Sequence, residues 1–176
     1  MTTRRLPILW LTGNTGAGKT TLATAAESYF NEHQPVSCDC ARRVVVLDGD
    51  DMRATISTEE TLSASDRRKH NLRVARLAAH LQQRGFLVIV AVIAPFQSVR
   101  DEIQPICNPR WIYVKRSGLG AADRPYESPL DPDLIIDNDA LDISNAASRF
   151  LTYIETIVAQ SVIKNAAAGA ASMNRL

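Results

Sequence analysis

LTGNTGAGKTTLA (11–23) follows the apolar run LPILWLT (6–12) and opens a segment of helix formers, TTLATAAESYF. Gly13, Gly16, Gly18, Lys19 and Thr20 satisfy G-x-x-x-x-G-K-[ST]. The glycines let backbone N–H groups turn inward on phosphate oxygens, and the helix that follows presents its positive end to the same anion. A lysine at this point reaches the β- and γ-phosphates, and the next hydroxyl ligates Mg²⁺. Placed between an apolar strand and a helix, the loop predicts a nucleoside triphosphate site.

The remaining chain alternates in the same manner. Apolar, β-branched runs predict strands at 6–12, 43–48, 86–93, 111–115 and 133–137, and helical patterns predict helices at 18–33, 66–84, 97–105 and 142–164. Strands without polar alternation are buried on both faces, as in parallel sheets. The expected fold is α/β, a P-loop kinase-type three-layer sandwich with a five-stranded parallel sheet. Val74, Leu77, Ala78 and Leu81 give the 66–84 helix one buried stripe, and Gly85 supplies a left-handed stop. The 176 residues are read as one domain, with a low-complexity tail over 165–176 that is expected to fray.

A phosphate loop needs a carboxylate at the end of a neighbouring strand to hold Mg²⁺. FLVIVAVI (86–93) carries none, whereas RVVVLD (43–48) runs into DGDDMR (48–53). Asp48, Asp50 and Asp51 therefore stand at the carboxyl edge of the sheet, where such folds bind ligands. Asp50 is expected to face the acceptor hydroxyl and the Mg²⁺ waters, with Thr20 as its companion metal residue. Asp51 is expected to cap a helix from Met52. DRRKHNLR (66–73) places cations at a helix start, where the dipole disfavours them unless an anion is bound. Extending the buried stripe back from Val74 brings Asn71 and Arg67 toward the sheet, with Arg68 one turn before Asn71, so Arg53, Arg68 and Asn71 could converge on such an anion.

Net charge is +1, so no overall field draws DNA, RNA or an anionic membrane. The apolar run near the start is too short for a signal peptide core, and no stretch approaches the ~20 apolar residues of a membrane span. Three cysteines, with Cys38 and Cys40 in a C-x-C, read as free thiols in a reducing, cytoplasmic setting. His33, His70 and His80 show no catalytic partner set; His70 lies beside Asn71, where it could touch substrate, and is read first as a helix-surface histidine. Trp10 and Trp111 read as packing residues.

Together these pieces resemble the adenylyl-sulfate kinase family. The resemblance rests on LTGNTGAGKTTLA, VVVLDGDDMR, RKHNLRVARLAAHLQQRGFLVIVAVIAPF, VRDE and RPYESPLDPDLIID, in order across residues 8 to 137. It implies ATP and Mg²⁺ as cofactors and adenosine 5′-phosphosulfate as acceptor. The donor site would comprise Gly13, Asn14, Thr15, Gly16, Ala17, Gly18, Lys19, Thr20 and Thr21, with Lys115 and Arg116 over the donor nucleotide. Asp50 looks like the catalytic aspartate, working with Lys19. Arg53, Arg68 and Asn71 look like the substrate-binding set, with Arg67 replacing Arg68 if the register shifts by one. Asp48 and the Ile93-Ala94-Pro95 segment would also face the acceptor. Family members are often dimers, so the resemblance extends to a homodimer.

Three departures bear on the acceptor. Ala94 stands where the family has a serine, Leu62 stands where it has an adenine-stacking phenylalanine, and the basic lid before Pro125-Tyr126-Glu127 is reduced to KRSGLGAADR (115–124). Two other readings stay open beside the leading one. One is a kinase of the same fold acting on another small anionic alcohol, such as a nucleotide, sugar or polysaccharide precursor. The other is a nucleotide-binding regulatory protein without transfer activity.

Overall fold

The computed structural model describes residues 5–33, 44–120 and 125–173, with the side chains of 162–173 excepted. Five parallel strands, β1 (Ile8–Thr12), β2 (Val44–Asp48), β3 (Leu87–Ala91), β4 (Arg110–Lys115) and β5 (Leu134–Asp137), form one sheet in the order β2-β3-β1-β4-β5. The chain leaves β1 for one side of the sheet and returns to the other, which opens a crevice at the carboxyl end of β1. Five helices complete the fold: α1 (Lys19–Glu32), α2 (Gly49–Thr55), α3 (Ala64–Gln83), α4 (Gln97–Cys107) and α5 (Ile143–Met173).

Successive side chains of a strand point to opposite faces, and β1 shows how both are covered. Leu9 and Leu11 join Leu22, Phe30, Phe150 and Ile154 on the α1/α5 side, while Ile8 and Trp10 join Val74, Val99 and Ile103 on the α3/α4 side. All of these are buried. Each large apolar side chain so removed from water contributes about 1.5–3 kcal/mol, which is why runs without alternation form interior strands here.

The five expected strands and four expected helices are present, with ends shifted by a few residues. Helix α3 begins at Ala64. Ser63 caps it by accepting from the Asp66 N–H, and Asp66 in turn accepts from the backbone N–H and hydroxyl of Thr61. It stops as expected: Gly85 has φ 87°, with Gly85 N–H on the Gln82 carbonyl and Phe86 N–H on that of Leu81. Two expectations are corrected. Helix α5 continues to Met173, beyond its expected end at 164. The helix after β2 starts at Gly49 and not Met52, so its cap is Asp48, and Asp51 lies in the first turn. Cys38, Cys40, residues 121–124 and residues 174–176 lie outside the described residues.

Candidate active site

The glycine loop leaves β1 at the centre of the sheet and feeds α1. Its first residue lies against β4: a Cβ on Gly13 would stand 2.3 Å from the Val114 carbonyl oxygen, so only glycine fits. Gly18 has φ 106° and sits directly before Lys19, with Asn138 Nδ2 donating to the neighbouring Ala17 carbonyl at 2.6 Å. Lys19 is 7% exposed, and its ammonium donates to the carbonyls of Gly13 (2.9 Å) and Asn14 (2.8 Å). Burial lowers its pKa to about 8, against the opposing pull of Asp48 and Asp50.

Across from the loop, the end of β2 supplies carboxylates. Asp48 Oδ1 accepts from the Asp50 N–H at 2.9 Å, and its Oδ2 accepts from the Thr20 hydroxyl at 2.7 Å. The expected metal pair was Thr20 with Asp50; the carboxylate bonded to Thr20 is that of Asp48. Asp50 is exposed and lines the cleft on the first turn of α2. The Thr20 hydroxyl and Asp48 carboxylate are adjacent hard oxygen donors, which fit Mg²⁺. Among the described residues no group of three His, Cys, Asp or Glu side chains forms a cage. Most ligands of a Mg²⁺ here would therefore be phosphate oxygens and water, as nucleotide-bound magnesium requires.

Loop, β2 end and α3 start enclose a cleft of about 750 Å³. Thr15, Gly16, Lys19, Thr20, Asp48 and Asp50 line it, facing Arg53, Leu62, Arg67, His70, Asn71, Ile93 and Pro95. Arg53 and Arg67 are half-buried and near enough that, after burial, the Arg67 charge is the next cause lowering the Arg53 pKa. Of the two arginines between which the register left a choice, Arg67 is in the cleft. Arg68 points away, with Nε donating to Glu102 of α4 at 2.7 Å. Physically, α3 turns about 100° per residue, so one step in register exchanges a site-facing residue for one facing the neighbouring helix.

Other expected site residues are also displaced. Ala94 is fully buried with φ 44° and packs in the α3/α4 core, although Ile93 and Pro95 beside it line the cleft. Ala17 is fully buried and Thr21 is exposed beyond the lining, while Gly13 and Asn14 contribute carbonyls to Lys19. Lys115 is tied to Asp137 across β4 and β5 at 2.6 Å, so Arg116 alone of that pair reaches the loop, at the Gly16 carbonyl (3.3 Å).

His70 is the residue that sequence reasoning misplaced most. It is 1% exposed and lines the cleft. Burial, assisted by Arg53, lowers its pKa to about 4. The spacing held the signal: His70, Val74 and Ala78 form one i, i+4 row. The segment Pro125-Tyr126-Glu127 was also missed as structure. Tyr126 shares a hydrogen bond with Thr12 (3.0 Å), and Glu127 accepts the first N–H of α4, on Gln97. Buried Arg100 ties the Ala94 carbonyl to that of Glu127.

A family model described as Adenylylsulphate kinase matches residues 5–116. The adenylyl-sulfate kinase of Pseudomonas aeruginosa is 32% identical, with 87% of each chain covered, and that of Bacillus velezensis is 30% identical, with 86% of each covered. The hexameric APS kinase from Thiobacillus denitrificans superposes with a TM-score of 0.71 at 30% identity, over 88% of this chain and 29% of that one. The matched span carries the loop, the β2 end and the start of α3, the parts that enclose the cleft, and the chain therefore belongs to the adenylyl-sulfate kinase family, as a phosphotransferase with a hydroxyl acceptor.

Proposed function

We propose that this protein transfers the γ-phosphoryl group of ATP to the 3′-hydroxyl of adenosine 5′-phosphosulfate. The observation that carries the reading is the convergence, in one cleft, of the phosphate loop with Asp50 and with the half-buried Arg53 and Arg67. Two guanidiniums at the far side suit a sulfated, phosphorylated acceptor, because each offers a planar fork of donors to oxyanions.

The steps follow from the residues. The loop amides and the α1 N-terminus hold the triphosphate, and Lys19 turns from the loop carbonyls to the β- and γ-phosphates. When bound, Mg²⁺ supplies charge neutralisation at the phosphates, held by Thr20 and Asp48. Asp50 orients the acceptor hydroxyl and accepts its proton as the oxygen bonds to the γ-phosphorus and the bond from that phosphorus to the β–γ bridging oxygen breaks, releasing ADP. Arg53 and Arg67 fix the acceptor's anionic end, so that much of the rate arises from positioning.

A labelled γ-phosphate assay with adenosine 5′-phosphosulfate tests the reading. Asp50→Asn is expected to lower turnover by about 10²–10⁴-fold while leaving Mg·ATP binding intact. Unchanged turnover in that variant, or no transfer by the parent protein, would reject it. A second reading, another small anionic alcohol as acceptor, is favoured by Leu62, which is 65% exposed at the cleft and has no aromatic face for a base. Under that reading a sugar phosphate or another nucleotide outcompetes adenosine 5′-phosphosulfate.

A further inference from the structure

His70 and Asn71, two turns into α3, lie inside the wall of the acceptor cleft, at 1% and 2% exposure. Neither ring nitrogen of His70 has a hydrogen-bond partner among the described residues, and Asn71 Oδ1 has none either. Asn71 has spent its amide on the Arg67 carbonyl, at 2.7 Å. Buried polar groups are almost always paired, so three unpaired atoms on adjacent side chains, both lining a ligand cleft, need an explanation. The charged groups around His70 do not supply one. Arg53, Glu60 and Arg73 set its electrostatics. Glu60 is engaged by Arg73, whose Nη1 also donates to Ser57 and to the Ile56 carbonyl.

We propose that His70, beside the Asn71 that the family resemblance already assigns to the substrate, is a specificity-determining contact of the acceptor site, hydrogen-bonding an amino or hydroxyl group of the molecule whose anionic end Arg53 and Arg67 hold. The chemistry follows from counting donors and acceptors. Guanidiniums only donate: Arg67 Nε donates to the Leu62 carbonyl at 2.7 Å and Arg53 Nη1 to the Thr61 carbonyl at 3.4 Å, and their remaining N–H groups suit an oxyanion. A neutral imidazole offers one N–H and one lone pair, and the Asn71 oxygen offers further lone pairs. His70 is neutral near pH 7, since its pKa is lowered to about 4. Sulfate or phosphate oxygens cannot fill those acceptors; an N–H or O–H on the organic part of the acceptor can. A site whose polar groups are left unpaired by the wrong ligand discriminates far more strongly than an apolar pocket. The preference is thus for a nucleotide or sugar that is anionic at one end and rich in donors at the other.

This inference rests on the acceptor assigned above, and calorimetric titration of adenosine 5′-phosphosulfate into the protein with Mg·ADP separates the two. Absence of binding to the parent protein rejects that assignment and the inference with it. If the parent binds, His70→Phe keeps the shape but removes both nitrogens. It is expected to weaken acceptor binding by about tenfold or more while the dissociation constant for Mg·ADP stays within about twofold. His70→Asn, which regains a donor and an acceptor, is expected to recover most of the loss and covers the case in which the phenylalanine variant does not fold. The thermal midpoint of His70→Phe should equal or exceed the parent's, because two buried nitrogens without a protein partner are gone. A purely packing role predicts unchanged acceptor affinity for both variants, and that result overturns the proposal. Repeating the titration with inosine 5′-phosphosulfate identifies the donor: a loss confined to the adenosine compound assigns the amino group, and an equal loss assigns the ribose hydroxyls.

Discussion

Lys19 is a buried cation held by carbonyl oxygens, and burial lowers its pKa to about 8. A triphosphate replaces those neutral partners with negative charge, which returns the pKa toward the ordinary lysine value. Binding must then take up a proton wherever the free protein has lost it. Titrations of Mg·ATP in buffers of different ionisation heat should show little uptake near pH 7 and about three-quarters of a proton at about pH 8.5. Lys19→Arg, which stays charged, should abolish it. His70 gives the opposite side of the same linkage. Its folded pKa of about 4 lies below the ordinary 6.5, so between those values the unfolded chain binds a proton that the fold refuses. Stability is flat above that window and falls as pH drops through it, by at most about 3 kcal/mol. Urea midpoints at about pH 7 and pH 4.5 should differ less for His70→Phe than for the parent. Both residue types and both positions stand in the sequence. The inward direction of His70 stands there too, in the i, i+4 row with Val74 and Ala78; that the 56–60 connection closes over it, with Glu60 and Ser57 held by Arg73, does not.

Among the elements, α4 does more than cover the sheet. Arg100, 2% exposed, donates to the Ala94 carbonyl at 2.7 Å and the Glu127 carbonyl at 2.9 Å, and Gln97 Oε1 accepts from its Nε and Nη2. The residues after β3 and the segment after 124 are thereby fastened to one helix turn beside Ile93 and Pro95. Arg100→Met preserves the stem but leaves three oxygens without a donor, an expected cost of about 2–4 kcal/mol. Because the fastened segment borders the cleft, its acceptor KM should rise more than its ATP KM, as steady-state kinetics would record. Strand and helix existence was legible because interior strands lack alternation and α3 has a clear stripe and stop. Helix starts were less so. Asp48, not Asp51, caps α2, since the last strand residue already has extended geometry, with φ −83° and ψ 145°, and its carboxylate reaches two residues on. The Arg67/Arg68 choice had the same origin, a register that only the packing of α3 against α4 decides.

At the scale of the whole molecule, β1 is the central strand and carries the phosphate loop, so a ligand at that loop couples to both faces of the core. With Mg·ATP at about a hundred times its dissociation constant, stabilisation should be about 2.7 kcal/mol. For a chain of this size that raises the thermal midpoint by roughly 5–10 °C. Scanning calorimetry should find the shift kept in Asp50→Asn and lost in Lys19→Ala, which separates donor binding from the transfer step. The loop and the DGD motif made the donor half legible in the sequence. The acceptor half was not, because its wall is assembled from α2, α3 and the end of β3, whose meeting only tertiary packing arranges. No helix among the described residues is long and apolar enough to cross a membrane.

The two indoles give this arrangement an optical readout. Trp10 stands three positions before Gly13 of the phosphate loop and donates to the Val92 carbonyl at 2.8 Å, while Trp111 lies 5.5 Å away, centroid to centroid, with its ring tilted by 40°. Rings so near and so inclined exchange excitation, and their emission and circular dichroism depend on that spacing. The protein thus carries its own fluorophore pair on the strands below the donor loop, bonded through Val92 to the acceptor side of the cleft, and filling of either half is expected to register in its emission without an attached label.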